Sequence, residues 1–310
     1  MNAQKPRIIS LIPSATEILA ALGLTDAIVG RSHECDYPPE ILDRPVCTAA
    51  RLNSQAPSAE IHQDVNNIVQ SALSIYQIKT DVLEQLKPTH IVTQDQCDVC
   101  AVSLQDVEKA IATLTQSQPQ VISLHPNTLT DVFADIGRVA NALGVRSLSL
   151  LEDLEARVKI CQQKTAKLSI AETPTVACIE WTDPLMTAAN WIPELVKDAG
   201  GQPLLGAIGQ ASPIVTWETL VTTNPDIIIF MLCGFDLERT RQEAMALTQR
   251  PEWEKLDAVQ SGRVYVTDGN SYFNRPGPRL VDSIEILAEM LHPEIFDYGY
   301  IPTGWQPLIK

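Results

Sequence analysis

Basic residues are scarce in this chain. Against 38 Asp and Glu stand only 23 Lys and Arg, a formal net charge of −15 over 310 residues. Nucleic acid and anionic membrane surfaces both reward a basic face, so neither is an expected partner. Long apolar runs are missing too. The longest, Ile227 to Phe235, is too short to cross a bilayer as a helix. The polar start, Met1 to Pro6, lacks the apolar core and small-residue cleavage site of a secretory signal, which leads to the expectation of a cytoplasmic protein. Catalytic signatures are also lacking. There is no Ser-His-Asp constellation, no glycine-rich phosphate loop and no HExxH, and the five histidines (33, 62, 90, 125, 292) are scattered. No catalysis is therefore expected. The seven cysteines (35, 47, 97, 100, 161, 178, 233) are odd in number, which suits thiols or ligands better than a disulfide frame.

The chain does contain a repeated phrase. Asp81-Val82-Leu83-Glu84-Gln85-Leu86-Lys87-Pro88-Thr89-His90-Ile91-Val92 returns as Glu218-Thr219-Leu220-Val221-Thr222-Thr223-Asn224-Pro225-Asp226-Ile227-Ile228-Ile229. In each copy an acid opens a short helix, a proline ends it and an apolar β-rich run follows. Two such units imply two similar α/β lobes, with a ligand cleft expected between them.

Strand and helix patterns alternate along both halves. Arg7 to Ile12 predicts a strand, and Ser14-Ala15-Thr16-Glu17 a capping box on a helix that Gly23 stops. A short strand to Gly30, a polar helical region over 59–87 and a strand at Ile91 to Thr93 follow. Next come a helix from Ser103, a strand at Val121 to Leu124 and a helix to Leu143. Leu151, Leu154, Val158, Cys161 and Leu168 recur mostly three or four apart, which predicts one amphipathic helix of roughly 30 Å. Residues 1–146 are thus read as the first lobe, 147–170 as the connecting helix and 171–310 as the second lobe. Strands at Thr175 to Trp181, Asp226 to Met231 and Arg263 to Thr267 alternate with helices in the second lobe. The fold class is α/β with mainly parallel sheets, and ligands are sought beyond the carboxyl ends of strands.

Four post-strand segments stand out. Pro13-Ser14 opens a helix, where backbone amides meet anions or amide oxygens or the serine serves only as a cap. Arg31 to Pro39 carries His33, Glu34, Cys35 and Tyr37, and Gln94 to Cys100 carries Gln94, Asp95, Gln96, Cys97 and Cys100. One imidazole and three thiols, His33, Cys35, Cys97 and Cys100, make a zinc-like set, while Cys-x-x-Cys ahead of a helix is also a redox spacing. In the second half the segment from Cys178 to Met186 carries Glu180 and Trp181, with Trp191 close behind, and Asp268 to Arg279 carries Tyr272 and Phe273. Aromatics are 5% of the chain, so four in post-strand segments point to a flat, largely apolar ligand.

Arg7 to Glu17 followed by Ala21-Leu22-Gly23 resembles the opening of the cobalamin-type substrate-binding proteins of ABC importers. The similarity continues through Val29 to Pro38, Leu86 to Val92, Asn224 to Ile228, Gly262 to Tyr265 and Arg275 to Arg279. It spans about residues 7 to 291. The resemblance implies two α/β lobes joined by one long helix and a cobalamin-like corrinoid held by loops from both; related folds hold haem or a ferric siderophore instead. Where that family carries a tyrosine-bearing loop, this chain has His33-Glu34-Cys35, and a histidine there is placed to contact the corrinoid or reach cobalt. The resemblance also implies that one acid per lobe, by position Asp81 and Glu218, pairs with arginines of a membrane permease.

Overall fold

The computed structural model describes residues 5–70, 75–95 and 103–309. The chain divides into two compact units, one made of Met1–Ala56, Glu60–Pro126 and Thr130–Leu151, the other of Pro57–Ala59, Asn127–Leu129 and Glu152–Lys310.

In the first unit β1 (Ile8–Ser10) leads into α1 (Pro13–Ala21), followed by β2 (Ile28–Arg31), β3 (Thr48–Ala50), α2 (Ser58–Gln70), β4 (Tyr76–Ile78) and α3 (Thr80–Leu86). Then come β5 (His90–Gln94), α4 (Leu104–Ala112), β6 (Gln120–Leu124), α5 (Leu129–Leu143) and α6 (Leu148–Thr165), most of which belongs to the second unit. The main sheet runs β2-β1-β5-β6, all parallel, with Ile9 opposite both Gly30 and Ile91. Ile9, Leu11, Leu83, Ile91 and Val107 form its fully buried core with Cys47. Ile8 and Ile9 of β1 and Ile91 and Val92 of β5 have no exposed surface, as the centre of a sheet covered on both faces requires.

Two expectations fail here. Pro13, with its preset φ, takes the first helical position of α1, so Ser14 lies inside the helix. Ile12 is the N-cap and no side chain caps the helix, so the expected box does not form. At the other end Gly23 sits at φ +75°, and the Gly23 and Leu24 amides close on the Ala20 and Leu19 carbonyls. The single helical region expected over 59–87 is instead helix, strand and helix. Tyr76-Gln77-Ile78, with two strong strand formers, pairs antiparallel with β3 as a two-stranded ribbon.

α6 ends at Thr165 rather than 170, because the Ser169 amide and hydroxyl both donate to the Glu172 carboxylate and start a separate turn. The boundary between the units falls within α6, after Leu151.

The second unit continues with β7 (Thr175–Thr182), β8 (Leu185–Thr187), α7 (Ile192–Asp198), β9 (Gln202–Leu204), α8 (Trp217–Thr223) and β10 (Ile227–Phe230). α9 (Leu237–Leu247), α10 (Asp257–Gln260), β11 (Val264–Thr267), α11 (Leu280–Leu291) and β12 (Trp305–Pro307) complete it. Parallel strands β9, β7, β10 and β11 make the centre of the sheet, with β8 and β12 added antiparallel. Ile227, Ile228, Ile229 and Phe230 have no exposed surface, as the centre of a doubly covered sheet demands.

The repeated phrase becomes a repeated backbone. Both α3 and α8 are seven-residue helices, and each ends on a left-handed residue, Lys87 (φ 46°) or Asn224 (φ 44°), followed by proline and a strand. The shared leucines, Leu83 and Leu220, are both fully buried.

Candidate ligand-binding site

The loop after β2 is held from several sides. The Ser32 amide donates to the Ser10 carbonyl at 2.8 Å, continuing the sheet. The Arg31 guanidinium donates to the carbonyls of Ser32 and Cys35 at 3.1 and 3.0 Å. The β3–β4 ribbon then fixes the loop's side chains. Thr48 Oγ1, on β3, accepts from the His33 amide at 3.0 Å, lies 2.7 Å from His33 Nδ1 and donates to Ser32 Oγ at 3.0 Å. Tyr76, on β4, donates its hydroxyl to Glu34 Oε1 at 2.8 Å, and its ring lies 5.4 Å from the His33 ring. Burial, then the positive charges of Lys79 and Arg31, hold the His33 pKa below its ordinary value, so the ring is neutral at neutral pH. Tyr37 is 44% exposed. Thr48 and Tyr76 escaped sequence reasoning because the ribbon did. Their signal was the β-branched and aromatic alternation at Tyr76 to Ile78.

Cys35 faces a different element. Its thiol is fully buried, accepts the Thr16 hydroxyl of α1 at 3.0 Å and lies 3.9 Å from the Ser10 carbonyl oxygen. His33 and Cys35 are thus engaged on opposite partners, the ribbon and α1. Cys97 and Cys100, the other half of the expected zinc set, lie outside the described residues, as does Gln96. Among the described residues no three His, Cys, Asp or Glu side chains gather as a metal site.

Along the same carboxyl edge, Pro13 and Ser14 are buried, and Ser14 Oγ makes no hydrogen bond among the described residues. Such an orphan hydroxyl costs about 1–3 kcal/mol. Gln94 ends β5 and is 2% exposed. Asp95 points outward and holds His125 Nδ1 at 2.6 Å across the ends of β5 and β6. His125 was not singled out from sequence, although it too follows a strand, Val121 to Leu124.

In the second unit Glu180 and Trp181 lie within β7 itself, not after it, because β7 runs on to Thr182 and turns back through β8. Trp181 is half-buried, donates its indole N–H to the Asp183 carbonyl at 3.1 Å and meets the Phe235 ring at 5.3 Å in a tilted contact. Arg239 lies 3.7 Å over that same Phe235 ring. Phe235 and Arg239, on the loop after β10 and the first turn of α9, are further candidate site residues that sequence reasoning missed. The loop after β11 forms one wide helical turn, Gly269–Phe273. Asp268 caps it by accepting the Ser271 amide at 2.7 Å, and burial raises the Asp268 pKa. Half-buried Tyr272 meets Tyr300 edge-on at 6.0 Å, with Arg279 5.5 Å over its ring.

Trp191 and Phe273, expected to touch a ligand, pack inside instead. Phe273 has no exposed surface, and its carbonyl accepts the Trp191 indole N–H at 2.9 Å. Two large apolar rings gain more from burial than from a half-wet loop. Asp81 and Glu218 are exposed in the first turns of α3 and α8. Hydrogen bonds from its own amide and from Thr216 lower the Glu218 pKa.

Two α/β units of mainly parallel strands, each with polar and half-buried aromatic side chains at or just beyond its strand ends, have the architecture of a solute-binding class of protein. The chain belongs to the periplasmic binding protein family, whose model matches residues 8–270. It is 26% identical over 307 residues to the uncharacterized ABC transporter substrate-binding lipoprotein YvrC of Bacillus subtilis (strain 168), covering 96% of this chain and 83% of that one. It is 25% identical over 296 residues to the vitamin B12-binding protein of Vibrio cholerae, covering 92% and 88%. Among solved structures, the periplasmic vitamin B12-binding protein of Vibrio cholerae superposes with a TM-score of 0.63 at 21% identity, covering 92% and 96%. The periplasmic heme-binding protein of Roseiflexus sp. RS-1 superposes at 0.70 and 21% identity, covering 94% and 99%.

Proposed function

We propose that this chain is a non-catalytic binding protein for a cobalamin-type corrinoid, which it presents to an ABC permease. The observation that carries the reading is the alignment with vitamin B12-binding proteins over more than nine-tenths of the chain. The chemistry of the loops is compatible with it. A corrinoid offers a broad apolar face and a rim of amides. Half-buried Trp181 and Tyr272 offer aromatic surface, and the outward Asp95 and Tyr37 offer hydrogen-bonding groups for such a rim. The permease would meet Asp81 and Glu218, matched in position at the starts of the repeated helices.

Titration of the pure protein with cyanocobalamin, cobinamide and haem, followed by absorbance and calorimetry, tests the ligand. Saturable corrinoid binding at micromolar concentration is the expected result, with Trp181→Ala weakening it about tenfold, or ~1.4 kcal/mol. Absence of corrinoid binding at tens of micromolar, or haem bound in its place, overturns the reading. Asp81→Lys with Glu218→Lys should leave ligand affinity unchanged while reducing association with the detergent-solubilised permease.

A further inference from the structure

We propose that His33 coordinates the cobalt of the bound corrinoid through Nε2, as an axial nitrogen ligand set by the β3–β4 ribbon. The proposal rests on the corrinoid reading above and adds a metal–protein bond to it. An imidazole is a good ligand when one nitrogen is held as N–H donor and the other is left with its lone pair. Thr48 has one hydroxyl hydrogen, and that hydrogen goes to Ser32 Oγ at 3.0 Å. Its oxygen accepts the His33 amide at 3.0 Å, so at 2.7 Å the Nδ1 atom must supply the proton of the remaining bond. The lone pair is therefore on Nε2, which has no hydrogen-bond partner among the described residues. Ring rotation is restrained as well: Tyr76 lies against the imidazole at 5.4 Å and is itself tied to Glu34 at 2.8 Å. The loop follows β2 at the carboxyl edge of the parallel sheet, where ligands of such sheets sit. Coordination forms a Co–N bond from the Nε2 electron pair as an axial water leaves, without change of oxidation state.

Cobinamide tests this, because it has no nitrogen base of its own. Bound to the protein and reduced to Co(II), it should show nitrogen superhyperfine splitting in its electron paramagnetic resonance spectrum. His33→Ala and His33→Gln should bind cobinamide without that splitting, and added imidazole should restore it to the alanine variant. Thr48→Val, which removes the Nδ1 acceptor, should weaken or lose it. Circular dichroism of each variant checks that it is folded. Bound cobinamide lacking nitrogen splitting in the unaltered protein overturns the proposal while leaving the corrinoid reading intact. Splitting that survives in His33→Ala but vanishes in His125→Ala overturns it too and moves the ligand to His125. Failure of the unaltered protein to bind any corrinoid removes the reading on which the proposal rests.

Discussion

At the residue scale, buried thiols and half-buried imidazoles have opposite consequences. Burial pushes the Cys47 and Cys178 thiols up to about 12, so neither forms a thiolate near neutrality. Cys35 and Cys161 are also fully buried, whereas Cys233 is half-buried. With Cys97 and Cys100 replaced by serine, a chromogenic disulfide reagent should find one accessible thiol, Cys233, in the native protein. The remaining four should react only on denaturation. More than one fast equivalent in the native state would contradict the buried thiols. For His90 burial lowers the pKa, as it does for His33. The folded chain then binds fewer protons than the unfolded chain between the lowered value and about 6.5, so stability rises with pH across that window and is lost on acidification. The urea midpoint should therefore be lower at pH about 5.5 than about 7.5, and the difference should shrink in His90→Gln.

At the scale of elements, the repeated helix-to-strand turn was legible because proline is a hard stop. What was not legible is the left-handed residue before each proline. Asn224 adopts that conformation readily, while Lys87 carries a Cβ penalty of about 1–2 kcal/mol. Lys87→Gly should raise the thermal midpoint, and Asn224→Ala should lower it; equal effects of the two would contradict the strain argument. The wide turn after β11 depends on a different constraint. A Cβ on Gly269 would stand 2.3 Å from the Leu232 carbonyl oxygen and 2.8 Å from the Met231 carbonyl carbon, backbone atoms just beyond β10 that cannot swing aside. Gly269→Ala should cost about 1–3 kcal/mol in denaturant unfolding and displace Tyr272. The ribbon of β3 and β4 was missed for a physical reason. Strands of three residues produce too little alternation to stand against a polar helical pattern, and they form because each finds the other.

At the scale of the molecule, the C-terminal segment closes the second unit through buried carboxylates. Glu289, 5% exposed, accepts the Tyr298 and Gly299 amides and the Trp305 indole N–H at 3.0 Å. Glu285 accepts the Tyr300 hydroxyl at 2.9 Å and Arg157 Nε at 2.9 Å, which ties α6 and the tail to α11. Ending the chain after Phe296 would strip the Glu289 carboxylate of these donors, a loss of about 1.5–3 kcal/mol. Denaturant unfolding should show that loss, and Glu289→Met in the shortened chain should recover part of it. No recovery would mean the tail acts through apolar packing alone.

Sequence by itself determined the α/β class, the duplication, the long helix and the segments that follow strands, because hydrophobic period, proline and helix-stopping glycine act over a few neighbouring residues. It also singled out His33, whose position after β2 is a matter of chain order. Which atoms meet was decided only by tertiary structure. Thr48 and Tyr76 reach His33 from positions 15 and 43 residues away in a ribbon. Phe235 meets Trp181 at a tilt, while Trp191 and Phe273 are buried in the interior. These contacts join residues distant in the chain, and their energies depend on packing that no local pattern encodes.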